Sequence, residues 1–352
     1  MTALAELTRI YTDRAAAARG GPVYGYVGAD VPVEQLTAAG VLPVRLWGDP
    51  AGDTAPGDRY LGKGLDPVAR SVLTRLLAGA YGTLDRVVVS RDCEASLRLF
   101  YALRELRRVE PELDLPEPYL VDVLHLPHRT TTRYVRARLE QFRDRLHDWT
   151  GTTADLPGAI ARHDEQRRLL AEAAELRRAV PARLTGTEFL AVAGAGTVLP
   201  VTEHLDLLRR LLAEAADLPE HTGRRIFLTG SGHDTPEVYR ALEGAGHLVV
   251  GEDHDWGDLL HLRQVGTGTL TALAERYQHN GPTAQRATTR ARAAHTAAAA
   301  RACRAEALVG YARRGDEAPP WDFPAQRAAL PELPAALLER QEYGRIDLEG
   351  IR

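Results

Sequence analysis

Cysteine occurs only twice and methionine once in 352 residues, and Lys63 is the sole lysine. Two thiols, Cys93 and Cys303, cannot build a disulfide framework, which points to a reducing compartment and so to the cytoplasm. With one lysine, Schiff-base or lysine-nucleophile chemistry rests on Lys63 alone, and that residue lies in a glycine-flanked loop. No apolar run reaches the roughly 18–20 residues that a membrane span needs. The first nineteen residues read as a polar helix and not a signal peptide, since they lack an apolar stretch. A net charge of −4, without a block of like charge, gives no general nucleic-acid footprint. A Walker-type phosphate loop, a full dinucleotide fingerprint and a nucleophile-elbow pattern are all missing.

What is present has the balance of a globular protein, with 44% hydrophobic and 26% charged residues, in a chain long enough for two cores. Segments 23–27, 41–47, 86–90 and 118–124 read as strands, alternating with helices at 33–39, 67–81 and 95–108, and a long helix follows at 131–150. Residues 156–218 are helical almost throughout. A second series then places strands at 224–228, 247–251, 307–311 and 335–338, with helices at 236–244, 270–277, 284–304 and 324–330. The expected fold class is α/β: two Rossmann/flavodoxin-like parallel-sheet domains, 1–155 and 223–352, with a helical insert at 156–222. Parallel sheets bind ligands beyond the carboxyl ends of their strands. The segments 28–32, 90–94, 124–128, 229–233, 252–256 and 311–321 are therefore expected to line one cleft.

Several chemical groups fall in those segments. The turn Gly230-Ser231-Gly232-His233 precedes a helix, and its N–H groups suit a phosphate such as part of a CoA; a plain strand–helix turn is the simpler alternative. Glu252-Asp253-His254-Asp255 is either a solvated acidic loop or a site for acid–base or metal chemistry. His125 and His128 flank a Leu-Pro and read as structural. Cys93 opens a helix, where the dipole favours a thiolate, the normal ligand of iron–sulfur clusters. Cys303, within an alanine-rich helix, reads as core.

The order of these motifs resembles the 2-hydroxyacyl-CoA dehydratase / benzoyl-CoA reductase family. The stretch from Gly28 to Pro43, with Pro-Val-Glu-Gln-Leu and Ala-Ala-Gly, is similar to that family's first block. The region around Cys93 resembles the block of its first cluster cysteine, and 225–257 and 308–343 resemble the later blocks, with Trp321-Asp-Phe-Pro324 at a recurring position. The resemblance implies a heterodimer of related subunits, a four-iron cluster held by three cysteines in each, an acyl-CoA substrate, and a separate ATP-hydrolysing iron–sulfur activator protein that supplies an electron. Only Cys93 matches a family cysteine; Asp255 stands at the second position and Asp316 at the third. On this reading Cys93, Asp255 and Asp316 form whatever metal site remains, Gly230 to His233 touch substrate, and Ser231 and His254 are catalytic. The alternatives are a cluster-free accessory subunit shaping a partner's site, or a small-molecule-binding module.

Overall fold

In the computed structural model the chain forms two four-stranded sheets, each parallel throughout. The structure describes residues 1–18, 20–283 and 286–351. The first sheet contains β1 (Val23–Val27), β2 (Leu42–Arg45), β3 (Arg86–Ser90) and β4 (Glu117–Val121) in the order β2-β1-β3-β4. The second contains β5 (Arg224–Gly230), β6 (His247–Glu252), β7 (Ala307–Arg313) and β8 (Ala335–Gln341) in the order β6-β5-β7-β8. The two orders are the same. In each, the direction of winding reverses beside the first strand, so neighbouring loops diverge there and leave a crevice.

Strands buried on both faces read as unbroken apolar runs, and alternate residues enter different cores. Val87 and Val89 of β3 join one cluster, while Val88 between them joins another with Tyr24, Tyr26 and Phe142. In the second sheet Ile226, Leu228 and Val309 enter the same cluster as Val87, whereas Phe227, Leu308 and Cys303 belong to a third. One core is thus common to the inner faces of both sheets. The helices Leu156–Arg178, Gly186–Ala195 and Val201–Ala213 fill it with Ala173, Phe189 and Leu208. Two helices cross over from their own half. Ala3–Thr12 lies on Gly186–Ala195, and Leu270–Gln278 packs on Arg129–Thr150, adding Leu273 and Tyr277 to the core of the first sheet.

Local signals set the element ends. Thr185 and Glu188 form a reciprocal capping box at one helix start, and Gly151, at φ 65°, ends the helix Arg129–Thr150. Four expectations shift. The helix expected at 324–330 starts at Ala318, because Pro319 occupies its first turn, where no intrahelical N–H bond is lost, and Pro324 is carried inside it. The helix expected at 284–304 begins at Thr289, capped by Thr288; residues 284 and 285 lie outside the described residues. The N-terminal helix breaks at Asp13, whose side chain caps the short helix Arg14–Ala17, and Arg19 also lies outside the described residues. A helix, Ala55–Leu61, forms at the end of the expected loop 48–57. Among the described residues no helix is long and apolar enough to cross a membrane.

Candidate functional site

The carboxyl ends of β1, β3, β5, β6 and β7 converge on a cleft of about 700 Å³ between the two sheets. Ala29, Cys93, Ser231, Asp255 and Asp316 all stand on its wall. The first strand of each series ends on a glycine that no other residue can replace without strain. Gly28 has φ 92° and a Cβ there would lie 2.0 Å from Ser90 Oγ; Gly230 has φ 113° and its Cβ would lie 2.2 Å from the Tyr311 carbonyl oxygen. The segment 124–128 does not reach this cleft. Leu124 to Pro127 line a groove beside it that shares Asp92, Cys93 and Glu94, since β4 is the edge strand and lies away from the point where the winding reverses.

The glycine turn builds the floor. Ser231 is 3% exposed; its hydroxyl donates to Asp316 Oδ2 at 2.7 Å and accepts from the Arg313 N–H at 3.0 Å. Its proton is therefore committed within the protein. The Gly232 carbonyl accepts from Arg313 Nη1 at 2.6 Å. His233 is buried and is not among the cleft-lining residues; its ring meets those of Tyr239, His254 and Tyr311 edge-on. The following helix, Glu237–Gly244, starts with an acidic residue in its first turn, which opposes an anion at that terminus.

His254 is also held. Its Nδ1 accepts from the Trp256 N–H at 3.2 Å, so Nε2 carries the proton and faces the Tyr239 hydroxyl at 2.8 Å. That hydroxyl donates to Glu252 at 3.1 Å. Burial lowers the imidazole below its ordinary range, and the neutral ring acts as a strut behind the loop. Glu252 in turn receives both terminal nitrogens of Arg177, a residue with no exposed side-chain surface.

Asp255, on the cleft wall, is paired with a residue of the first half that lies behind the cleft. Its Oδ2 accepts from Arg45 Nη2 at 2.6 Å, and its carbonyl accepts from Arg45 Nη1 at 2.6 Å. The guanidinium also lies 3.7 Å from the centre of the Trp256 ring. Burial opposes the charge on Asp255, and Arg45, with His254 and Arg286 beyond it, more than offsets this and holds the carboxyl below its usual value. Two further ion pairs span the halves: Arg313 with Asp66 at 2.8 Å, and Arg286 with Asp30.

Cys93 caps the helix Glu94–Val109, its sulfur accepting from the Ser96 N–H at 3.4 Å. The helix terminus does not produce the expected thiolate. Burial, followed by the carboxylate of Asp92, pushes the thiol up to about 12. Cys303 caps the far end of Thr289–Ala302 and is buried among Phe227, Leu248 and Val250. Among the described residues no three His, Cys, Asp or Glu side chains gather into a group able to hold a metal ion. The donor set does not fit a four-iron cluster. Its one cleft thiol is protonated, the carboxylate at the second position is neutralised by an arginine, and Asp316, at the third, is engaged by Ser231 and the Ala318 N–H.

Asp92 is a site residue that the sequence does not single out. Its Oδ2 accepts from the Ala29 N–H at 2.8 Å, and its buried Oδ1 has no partner among the described residues. Burial, then Asp30 and Asp255 nearby, raise its affinity for a proton. A buried carboxyl on a cleft wall, with its proton affinity raised in this way, is placed for acid–base work. Its only signal in the sequence is its place two residues beyond a strand end.

Comparisons with known proteins identify the family. A family model described as 2-hydroxyglutaryl-CoA dehydratase, D-component, matches residues 29–342. The chain is 25% identical over 242 residues to one of the benzoyl-CoA reductase subunits of Thauera aromatica, covering 66% of this chain and 61% of that protein, less than two thirds of its length. It is 20% identical over 320 residues to the (R)-phenyllactyl-CoA dehydratase beta subunit of Clostridium sporogenes, covering 88% of this chain and 83% of that one. The chain belongs to the 2-hydroxyglutaryl-CoA dehydratase D-component family.

Proposed function

We propose that this chain is a cluster-free subunit of an acyl-CoA dehydratase- or reductase-type enzyme. It works beside a related, cysteine-richer subunit that carries the iron–sulfur cluster, with electrons delivered by a separate ATP-hydrolysing activator. The observation that carries the reading is the Arg45–Asp255 pair, which puts a neutralised carboxylate where the family resemblance implies a cluster cysteine. The subunits named among its relatives support an assembly of this kind. The chain's own contribution is a shaped and polar wall: Ser231, Asp316 and Arg313 hold the floor of the cleft, and Gly28 and Gly230 let backbone approach where a side chain cannot.

The test is co-expression with a cysteine-rich member of the same family from the same source, followed by anaerobic iron and sulfide counting on the complex and on this chain alone. Iron is expected in the complex and not in the isolated chain. A full four-iron complement in the isolated chain, reconstituted under the same conditions, would defeat the proposal.

A second reading is that the cleft itself receives an acyl thioester, with Asp92 as the acid that protonates a leaving hydroxyl. The unpartnered Oδ1 and its raised proton affinity favour it. In an active reconstituted complex Asp92→Asn would then lower kcat steeply with little change in KM, whereas unchanged turnover would remove Asp92 from the chemistry.

A further inference from the structure

Behind the cleft lies a second pocket of about 90 Å³, which shares Ala29, Asp255 and Arg286 with the cleft wall. Four arginines line it, Arg45, Arg167, Arg276 and Arg286, against the single carboxylate of Asp255. Three of the four are neutralised: Arg45 by Asp255, Arg167 by Glu34 and Asp164, and Arg286 by Asp30. Arg276 is different. It is 4% exposed, its Nε donates to the Arg263 carbonyl at 3.0 Å, and its guanidinium carbon lies 4.7 Å from the centre of the Tyr277 ring. Its terminal nitrogens make no hydrogen bond to the described residues. The nearest carboxylates are already engaged: Glu34 also accepts from the Tyr277 hydroxyl, and Asp164 from the Val265 and Gly266 N–H groups.

We propose that a small carboxylate anion binds in this inner pocket, with the Arg276 guanidinium as its counter-ion. A buried cation without a partner is costly, and an anion beside it removes that cost. The titration of the side chain agrees: burial and the neighbouring Arg167 push Arg276 down to about 10. The other polar groups of the wall add no charge. Thr37, His163 and Gln166 form one hydrogen-bonded row that runs back through His204, behind the wall, to the Val192 carbonyl, and burial holds both imidazoles at about 4. Asn280, also on the wall, has a buried Oδ1 without a partner among the described residues. The remaining surface includes Leu170, Leu199, Val201 and Leu259. The pocket has room for several waters or one small organic anion. An anion with a short apolar tail, such as propionate, suits this mixture better than a fully hydrated inorganic ion. The carboxylate arrives either as a free small acid or as the far end of an acyl group whose thioester lies in the cleft, and only the second route rests on the acyl-CoA reading.

The experiment is isothermal titration of the full chain with sodium propionate against sodium chloride at equal ionic strength, repeated with succinyl-CoA and propionyl-CoA. Saturable one-to-one uptake of a carboxylate is expected. Arg276→Lys retains part of it, and Arg276→Met weakens it by about tenfold or more, as the loss of a charge-assisted pair requires. In carboxylate-free buffer Arg276→Met keeps or raises the unfolding midpoint, because an apolar side chain replaces an unpaired charge. Arg276-dependent binding of succinyl-CoA without uptake of propionate identifies the acyl end as the ligand. Propionate uptake identifies a free acid. If wild type shows neither saturable propionate uptake nor an Arg276-dependent preference for succinyl-CoA over propionyl-CoA, the proposal fails. That failure leaves the subunit reading intact, which is decided by iron counting and complex formation.

Discussion

Arg45, at the end of β2, and Asp255, in the loop after β6, join the two halves behind the cleft through two 2.6 Å hydrogen bonds, with the Trp256 ring stacked on the same guanidinium. The arginine side chain is 4% exposed and the aspartate 27%, so the pair is strongly desolvated on one side only. Breaking a pair of this type from one end leaves a buried charge without its partner. Asp255→Asn is expected to lower stability by about 3 kcal/mol, at the lower end of the range for buried pairs. Adding Arg45→Met should recover much of that loss. Urea unfolding of the two single variants and the double variant measures the coupling; additive effects would show that the pair is not a latch.

A second expectation concerns acid. His163 and His204 are held neutral at about 4, while the unfolded chain binds protons near 6.5. Both folded values are depressed, so this stability is fully present above pH 6.5 and is lost as pH falls from there towards 4. Each histidine contributes a slope of about 1.4 kcal/mol per pH unit inside that window. Glu34, held at about 2 by Arg167 against the burial that opposes its charge, adds a further loss below the ordinary glutamate range. Unfolding midpoints at several pH values should fall already between 6.5 and 4.5, and His204→Gln should flatten the slope.

The thiols give a third. With Cys93 pushed up to about 12 and Cys303 to about 11, both are protonated at neutral pH. Alkylation by iodoacetamide at pH 8 should be at least about tenfold slower in the folded protein than in urea, because the thiolate is the nucleophile. Rapid modification of Cys93 in the native state would show a thiolate stabilised by the helix terminus after all.

Gly28→Ala is the fourth. A side chain there must adopt φ 92° and displace Ser90 Oγ from 2.0 Å. A loss of at least about 2 kcal/mol is expected from the backbone conformation and the clash together. A thermal midpoint equal to that of wild type would contradict it.

Most of the architecture is legible in the sequence because it rests on short-range rules. The run Arg-Val-Val-Val-Ser at 86–90 has one reading, a strand buried on both faces, and it is β3. The strand-end rule alone puts Cys93, Ser231 and Asp255 at one cleft between the halves, and they line it. What stays hidden depends on partners distant in sequence. Nothing near residue 255 announces Arg45, 210 positions away, and nothing near His254 announces that Tyr239 and the Trp256 N–H hold its ring. The thiolate expected at Cys93 fails for the same reason: a helix terminus is a local signal, whereas burial is a property of the assembled fold. Helix Leu270–Gln278 is legible as a helix, but nothing in its residues signals that it packs on the other half.

Among the described residues, three ion pairs that join the two halves at or beside the cleft differ in sign. The first half gives Arg45, Asp30 and Asp66, and the second answers with Asp255, Arg286 and Arg313. Neither half therefore offers a uniform charge to the other at these positions, and each is complementary to a counterpart with the matching pattern. A half transplanted from a distant relative would meet like charges or unanswered ones at up to three places. A change of charge at any one of these six positions leaves its partner unanswered, so the two halves are expected to change there in couples and not as interchangeable parts.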